Sequence, residues 1–305
     1  MKVLIIKPSS LGDVIHSLRV VNQIKVGVPD ASIHWVIKKG LEEIISKCGL
    51  VDKVLIFNRG KGFGSYLRLI KNIRSENYDY VIDLQGLLRS GFLAATTKAF
   101  HKIGRADGRE FSTFFYKKIG YSKPAKDIHA IEILKEFLKV FKVNDFDKDL
   151  PLTFSYEAKN EFNLTHKAVI LFPESRRKEK EWPYFKELAD KLKSEFELNV
   201  YISGVERTKN FHGHIDLRGK VSLGHLPFLI KSASLVISND SAPLHIASAQ
   251  DIKVIGLFGP TSAKKYGPYP QNQKSSVAIQ SNTANIGDIS IEQVLNEINL
   301  LLEKD

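Results

Sequence analysis

Cysteine is almost absent from this 305-residue chain, which contains Cys48 alone. One thiol cannot form an intramolecular disulfide, and a cysteine-based structural zinc site is excluded. The chain also lacks an apolar run of the roughly 18–20 residues that a membrane-spanning helix needs. The apolar residues 3–6 form too short a run for the core of a signal peptide. These absences predict a cytoplasmic protein that does not span a membrane, with Cys48 as a structural thiol.

Acidic residues are in the minority, with 34 Asp and Glu against 45 Lys and Arg. The excess is uneven: residues 1–150 contain 26 basic and 16 acidic residues, whereas residues 151–305 contain 19 and 18. This asymmetry predicts an anionic partner for the amino-terminal half: nucleic acid, a phosphorylated small molecule or an acidic membrane surface. Solubility alone is the alternative explanation.

Short apolar runs alternate with helical patterns twice along the chain. The runs typical of buried parallel strands are residues 3–6, 33–37, 54–57, 80–84, 168–172, 199–202, 235–238 and 254–258. The helical patterns are residues 13–25, 64–75, 129–141, 183–196, 242–249 and 291–304, and the last can pack on either half. Residues 144–166 show no strong hydrophobic periodicity and are the best candidate for the linker between the two domains. The sequence therefore predicts an α/β fold with two doubly wound domains, 1–155 and 156–305, and a ligand cleft at the strand ends.

The segment that follows the first strand, KPSSLGDVIH (residues 7–16), opens a helix. Gly12 permits a tight turn, and Asp13 falls where the helix dipole favours a carboxylate. Asp13 is either a helix cap, a role that Ser9 or Ser10 can also fill, or a general base toward a hydroxyl group. His16 lies one turn further on, and a packing histidine is its default interpretation.

Two basic segments follow in the amino-terminal half. Residues 59–64, which include Arg59 and Lys61 among three glycines, are either a flexible surface loop or a mobile flap that closes on an anion. Residues 102–118 combine Arg105 and Arg109 with aromatic side chains. This combination suits nucleic acid, or the phosphate and carboxylate groups of a glycolipid, and a solvated helix face is the alternative.

Two polar segments in the second half also lie between a strand and a helix. Residues 171–183 place Ser175, Arg176 and Lys180 where hydroxyl, backbone and cationic groups suit a diphosphate. Residues 238–247 place Ser241 at a helix start with His245 one turn later. The alternative for residues 171–183 is a plain charged loop. The alternatives for residues 238–247 are an Asp helix cap and a histidine that only packs.

Several common signatures are missing. There is no Gly-Lys-Ser/Thr of a Walker A loop, no G-x-G-x-x-G fingerprint, and no Asp-x-Asp pair directly after a strand. The acidic triplet at 145, 147 and 149 falls in the linker and is typical of a solvated charge run. The sequence therefore lacks the motifs that usually indicate ATP hydrolysis, nicotinamide chemistry or metal-assisted sugar transfer.

Taken together, the segments resemble the lipopolysaccharide heptosyltransferases of glycosyltransferase family 9, in particular those that add the first heptose. The resemblance rests on KPSSLGDVIHSL, VIDLQGLLRSGFLA, GREFSTFFY, HAIE, the Trp182-Pro183 segment, SNDSAPLHIASA and GLFGPT, which follow the family's order along nearly the whole chain. It implies a GT-B fold, in which two Rossmann-like domains face a central cleft. It also implies an inverting, metal-independent transfer of heptose from ADP-heptose, without a cofactor, onto Kdo2-lipid A at the cytoplasmic face of the inner membrane.

The resemblance also implies roles for individual residues. Asp13 matches the catalytic base. The donor-binding set is Ser175, Arg176, Lys180, Glu206, Val221, Asp240, Ser241, Ala242 and His245, although Glu206 aligns loosely and Ala242 stands where the family commonly has Gly. We expect the acceptor to meet Ser10, Gly12, Arg59, Lys61, Arg105 and Arg109. The alternatives are a relative that adds a later heptose or another sugar, and a basic nucleic-acid-binding protein, whereas the resemblance implies no nucleic-acid partner.

Overall fold

The computed structural model describes residues 1–58, 60, 62–120, 128–143, 150–155, 162, 164–165, 167–205, 211–271 and 273–302. Its contacts divide the chain into two compact units, Met1–Ser155 (unit 1) and Tyr156–Asp305 (unit 2). None of the helices in these ranges is both long and apolar enough to cross a bilayer.

Unit 1 is built on one parallel six-stranded sheet. Its strands are β1 (Lys2–Ile6), β2 (Ser32–Lys38), β3 (Lys53–Phe57), β4 (Tyr78–Asp83), β5 (Ala99–Arg105) and β6 (Lys117–Ile119), in the spatial order β3-β2-β1-β4-β5-β6. Its helices are α1 (Leu11–Gly27), α2 (Glu42–Ser46), α3 (Gly62–Arg74), α4 (Leu88–Thr96) and α5 (Ala130–Lys135), with 3₁₀ turns at Ser112–Phe114 and Glu136–Phe141.

Unit 2 repeats this plan. Its strands are β7 (Ala168–Phe172), β8 (Asn199–Ile202), β9 (Ile215–Asp216), β10 (Leu235–Asn239), β11 (Val254–Phe258) and β12 (Ser276–Gln280), in the order β12-β11-β10-β7-β8-β9. Its helices are α6 (Phe185–Glu195), α7 (Leu226–Lys231), α8 (Ala242–Ala249), α9 (Ala263–Tyr266) and α10 (Ile291–Leu302), with 3₁₀ turns at Lys178–Lys180 and Ile286–Asp288.

The central strands are apolar because helices cover both faces of each sheet. Every residue of β7, β10 and β11 is buried. The carboxyl-terminal helix α10 packs in unit 2, where Val294, Ile298 and Leu301 join its core. Each strand order is that of a Rossmann fold, in which the chain reverses direction across the sheet beside the first strand. The two switch points are therefore the gaps after β1 and β4 in unit 1, and after β7 and β10 in unit 2.

The predicted fold class, two Rossmann-like α/β domains, is confirmed, and each of the eight predicted strands is present. One helical prediction was wrong in part, and one alternative is excluded. Residues 102–118 form the end of β5, a 3₁₀ turn and β6, so the alternative of a solvated helix face does not hold there. Residues 129–141 form α5 followed by a 3₁₀ turn rather than one α-helix.

Candidate functional site

In unit 2, polar residues gather at the switch point between β7 and β10. Lys180 Nζ lies 2.5 Å from Asp240 Oδ2, and Thr261 Oγ1 donates to the same oxygen at 2.7 Å. The pair is largely buried, with 15% and 8% of the two side chains exposed. A buried carboxylate needs a charge partner and hydrogen bonds, and Asp240 has both. The cluster thus joins the loops that follow β7, β10 and β11.

Asn239 holds two of these loops together. Its Nδ2 donates to the carbonyl of Pro173 at 3.0 Å, and its Oδ1 accepts from the backbone N–H of Trp182 at 3.0 Å. The buried indole of Trp182 donates to the carbonyl of Ile289 at 2.9 Å. These bonds fix the loop that carries Lys180 against the end of β10.

The start of α8 lies beside this cluster. Ser241 is the N-cap residue of α8, and its hydroxyl lies 3.1 Å from that of Ser238. His245, one turn further on, is buried, and its Nε2 lies 3.9 Å from Asp240 Oδ1. The positive end of the helix dipole and a lysine therefore meet at one point, as anion sites in doubly wound folds do.

The other predicted donor-binding residues lie around this point in different ways. Ser175 is buried, and its backbone N–H donates to Glu181 Oε1 at 3.0 Å. Arg176 is exposed, Ala242 is the first residue of α8, and Val221 is half-buried between β9 and α7. Glu206 lies outside the described residues. In the part of the chain that the structure describes, no three His, Cys, Asp or Glu side chains cluster as ligands of a metal ion.

In unit 1, Asp13 occupies the switch point after β1. The N-cap of α1 is Ser10, and Asp13 is the third helical residue. Asp13 Oδ2 accepts from the Ser10 backbone at 3.1 Å and from the Ser10 hydroxyl at 2.8 Å. Its side chain remains 45% exposed. The carboxylate is therefore held in a capping box yet open to a substrate.

A buried lysine lies beneath this carboxylate. Lys7 Nζ is 3.9 Å from Asp13 Oδ2 and 3.3 Å from the carbonyl of Leu84, which it contacts as a donor. Burial lowers the pKa of Lys7, and Asp13 opposes that shift. The Lys7 carbonyl accepts from the indole of Trp35 at 3.1 Å. Lys7 therefore lies within Coulombic range of the Asp13 carboxylate.

The loop after β4 supplies a second buried carboxylate. Asp83 accepts from the backbone N–H groups of Gln85 and Gly86 at 2.9 and 3.0 Å and from Ser90 Oγ at 2.9 Å. Gly86 has a φ of +68°, and a Cβ there would lie 3.2 Å from the Cα of Gly108, so the turn requires glycine. Burial raises the pKa of Asp83 to about 6, despite these bonds.

We expect Asp83 to make unfolding pH-dependent. Its folded-state pKa of about 6 exceeds its ordinary value of 3.8, so the folded chain retains a proton that the unfolded chain releases. This contribution is complete below about pH 4 and is lost as the pH rises through about 6. In urea unfolding, the wild type should lose about 2 kcal/mol more than Asp83→Asn between those limits. Equal pH dependence in the two proteins would refute the assignment.

The predicted acceptor-binding residues differ in exposure and in whether they already form an ion pair. Arg105 is bound in a bidentate pair with Asp107, at 2.8 and 2.6 Å, whereas Arg109 is exposed. Gly12 was predicted in a tight turn, but it is the second residue of α1. The turn prediction was wrong because the helix begins earlier, at Leu11. Arg59 and Lys61, like the acidic triplet of the linker, lie outside the described residues.

Sequence reasoning missed four polar residues at the two switch points: Lys7, Asp83, Asn239 and Thr261. Each directly follows a strand, ends one, or lies within three residues of a strand end. That position was the available signal, because the carboxyl ends of parallel strands meet at one edge.

Comparisons with known proteins agree with this architecture. The sequence model of glycosyltransferase family 9 (heptosyltransferase) matches residues 66–295. Lipopolysaccharide heptosyltransferase 1 of Salmonella typhimurium is 26% identical, over 95% of this chain and 98% of that protein. Lipopolysaccharide heptosyltransferase 3 of Escherichia coli is 27% identical, over 86% and 83%. The structure of E. coli heptosyltransferase WaaC with ADP superposes with a TM-score of 0.78 at 22% identity, over 98% and 99% of the two chains.

Two Rossmann-like units in one chain are the architecture of the GT-B class of glycosyltransferases. The family match covers most of the sequence. This chain belongs to glycosyltransferase family 9, the heptosyltransferase family.

Proposed function

We propose that this protein is an inverting, metal-independent heptosyltransferase that moves heptose from ADP-heptose onto Kdo of Kdo2-lipid A in lipopolysaccharide core synthesis. The observation that carries the donor half is the Lys180–Asp240–Thr261 cluster beside the start of α8. A lysine and a helix N-terminus together suit the diphosphate of a nucleotide sugar. The solved relative with ADP supports the adenine nucleotide.

We propose the addition of the first heptose rather than a later one because of how much of the chain aligns with heptosyltransferase 1. The alignment with Salmonella heptosyltransferase 1 covers nearly all of both chains and that with heptosyltransferase 3 covers less of each, but heptosyltransferase 1 of Campylobacter coli also aligns over only 86% of this chain. The identities are nearly equal, so a relative that adds a later heptose is the second candidate.

The proposed reaction gives one role to each unit's switch point. Asp13 accepts the proton of the attacking Kdo hydroxyl, and that oxygen forms a bond to the anomeric carbon of heptose. The bond from that carbon to the diphosphate oxygen breaks, and ADP leaves with the electron pair. Lys180 and the start of α8 stabilise the charge that develops on the diphosphate, with Ser175 and Ser241 as hydroxyl donors. Attack opposite to the leaving group inverts the anomeric configuration.

Acceptor recognition is proposed for cations in unit 1. Arg109 is exposed, and with Arg59, Lys61 and Arg105 it would meet the carboxylates of Kdo and the phosphates of lipid A. The net charge of residues 1–150 supports an anionic acceptor at the inner face of the cytoplasmic membrane.

The test is incubation of the purified protein with ADP-heptose and Kdo2-lipid A in EDTA, followed by ADP release and acceptor mass. We expect one added heptose. Transfer only to an acceptor that already carries heptose would replace the first-heptose step with a later one. Activity that EDTA abolishes and Mg²⁺ restores would contradict the metal-free mechanism.

A further inference from the structure

Unit 1 exposes a cluster of large apolar side chains that its fold does not require. We define the aromatic rim as Leu88 and Phe92 of α4 with Phe111 and Phe114 of the segment after β5. The exposed fractions of Phe111 and Phe114 are 75% and 81%, and those of Leu88 and Phe92 are 45% and 44%. Large apolar clusters on a soluble surface are typical of contact sites.

The two segments that carry the rim are in contact with each other. The rings of Phe111 and Phe114 stack with centroids 6.1 Å apart. The backbone N–H of Leu88 donates to Glu110 Oε2 at 3.2 Å, which joins the start of α4 to the residue before Phe111. Phe92 packs edge-on against Phe115 at 6.2 Å.

The backbone holds one of these rings outward at a conformational cost. Glu110 and Phe111 have φ values of 54° and 61°, a region that bulky residues rarely adopt. Hydrogen bonds from the Arg109 backbone to the Gly86 carbonyl, 2.8 Å, and from the Ser112 backbone to the Arg109 carbonyl, 3.0 Å, support this turn. Strained backbone conformations of this kind are common at functional sites, where contacts with the surrounding structure hold them in place.

The charges around the rim have one predominant sign. Residues 59–75 and 84–106 contain no Asp or Glu, and they include the exposed Arg68 and Arg89. Glu110, the acidic residue that precedes Phe111, accepts a hydrogen bond from the Leu88 backbone at the start of α4. Exposed aromatics with surrounding cations match the interface of a bilayer that carries anionic lipids.

The rim also lies at the edge of the sheet that carries Asp13. The segments that bear it follow the carboxyl ends of β4 and β5, and Asp13 follows that of β1. Phe100 is as exposed as the rim rings, at 86%, but it is the second residue of β5 and lies at the opposite edge. A matched control for an exposed ring is therefore present in the same unit.

We propose that the aromatic rim, with Arg89 beside Leu88 at the start of α4, docks unit 1 on an anionic lipid bilayer. The inference deepens the proposed function, because an acceptor anchored in lipid would then be presented at the edge of the sheet that carries Asp13. Phe111 and Phe114 enter the headgroup region, and Arg89 contacts lipid phosphates.

The test is flotation of the purified full chain with phosphatidylcholine vesicles, with and without phosphatidylglycerol, in the absence of donor and acceptor. We expect binding only to the anionic vesicles. The double variant Phe111→Ser/Phe114→Ser should lower the partition coefficient about tenfold, and Arg89→Gln should lower it about fivefold. Phe100→Ser should bind as the wild type does. Thermal unfolding of each variant establishes that it is folded.

Three outcomes would overturn the proposal: equal binding by the Phe111/Phe114 variant and the wild type, equal loss in Phe100→Ser, or no binding by the wild type. A concentration-dependent dimer that the Phe111/Phe114 substitutions abolish, without vesicle binding, would assign the rim to a second copy of the chain instead. Heptose transfer to Kdo2-lipid A dispersed in detergent tests the proposed function separately, because that assay contains no bilayer.

Discussion

Replacement of Asp13 by Asn should lower kcat by about a thousandfold and leave the KM for ADP-heptose nearly unchanged. Asn has the same shape, and its carbonyl oxygen can still accept from the Ser10 backbone, so α1 keeps its cap. The amide cannot accept the proton of the acceptor hydroxyl, and general-base catalysis typically contributes 10²–10⁴-fold. Steady-state kinetics with ADP release as the readout measures both parameters.

A matched variant, Ser10→Ala, distinguishes the loss of the Asp13 carboxylate from the loss of its hydrogen bond to the Ser10 hydroxyl. Ser10→Ala removes the 2.8 Å hydroxyl contact to Asp13 and an expected acceptor contact but leaves the carboxylate in place, so we expect kcat to fall far less than in Asp13→Asn, with the main loss in the acceptor KM. Retention of the thermal shift that ADP causes would show that Asp13→Asn is folded and binds nucleotide. Turnover of Asp13→Asn within about threefold of the wild type would exclude Asp13 as the base.

Replacement of Lys180 by Ala should weaken both donor use and the fold of unit 2. Loss of a charged hydrogen bond to the diphosphate costs about 1.5–3 kcal/mol, which is roughly a 10- to 100-fold fall in kcat/KM for ADP-heptose. The change also leaves the buried Asp240 carboxylate with Thr261 but without its cation. Because Lys180 is partly exposed, we expect a loss of about 2 kcal/mol in unfolding free energy, less than for a fully buried pair.

The two effects can be separated by a second substitution. Lys180→Ala/Asp240→Asn removes the uncompensated charge, so stability should return while donor use stays low. Lys178→Ala, an exposed lysine in the same 3₁₀ turn, should leave both unchanged. Wild-type kcat and KM for ADP-heptose in Lys180→Ala would remove Lys180 from the donor site.

Strands that helices cover on both faces were predictable, and four strands nearer the sheet edges were not. The runs in β7 and β11 are apolar throughout and those in β1 and β10 are mostly apolar, because both sides of each strand are buried. Strands β5, β6, β9 and β12 escaped prediction: polar residues interrupt β5 and β6, and β9 has only two residues. The edge strand β3 was nevertheless predicted, from residues 54–57. The basic and aromatic residues 102–118 showed the ambiguity most clearly, because only Ile103 and Gly104 of β5 are buried.

The sequence indicated that the loops after the strands carry functional residues, but it did not indicate which of their side chains form ion pairs. That Lys180 and Asp240 each follow a strand could be inferred from alternation alone, but that these two strands are neighbours depends on the strand order of the sheet. That they form an ion pair with each other, or that Arg105 pairs with Asp107, depends on side-chain geometry that the sequence does not contain. Lys7 escaped for a related reason: its burial beneath Asp13 depends on how the chain turns after β1.

The two tryptophans give the protein a built-in pair of optical probes. Trp35 lies in unit 1 and donates to the carbonyl of Lys7, and Trp182 lies in unit 2 on the loop that carries Lys180. Both indoles are fully buried. In Trp35→Phe, emission would come from the nucleotide-side loop alone, and in Trp182→Phe from the Asp13 loop alone. The order in which donor and acceptor perturb the enzyme can thus be followed in solution without an attached dye.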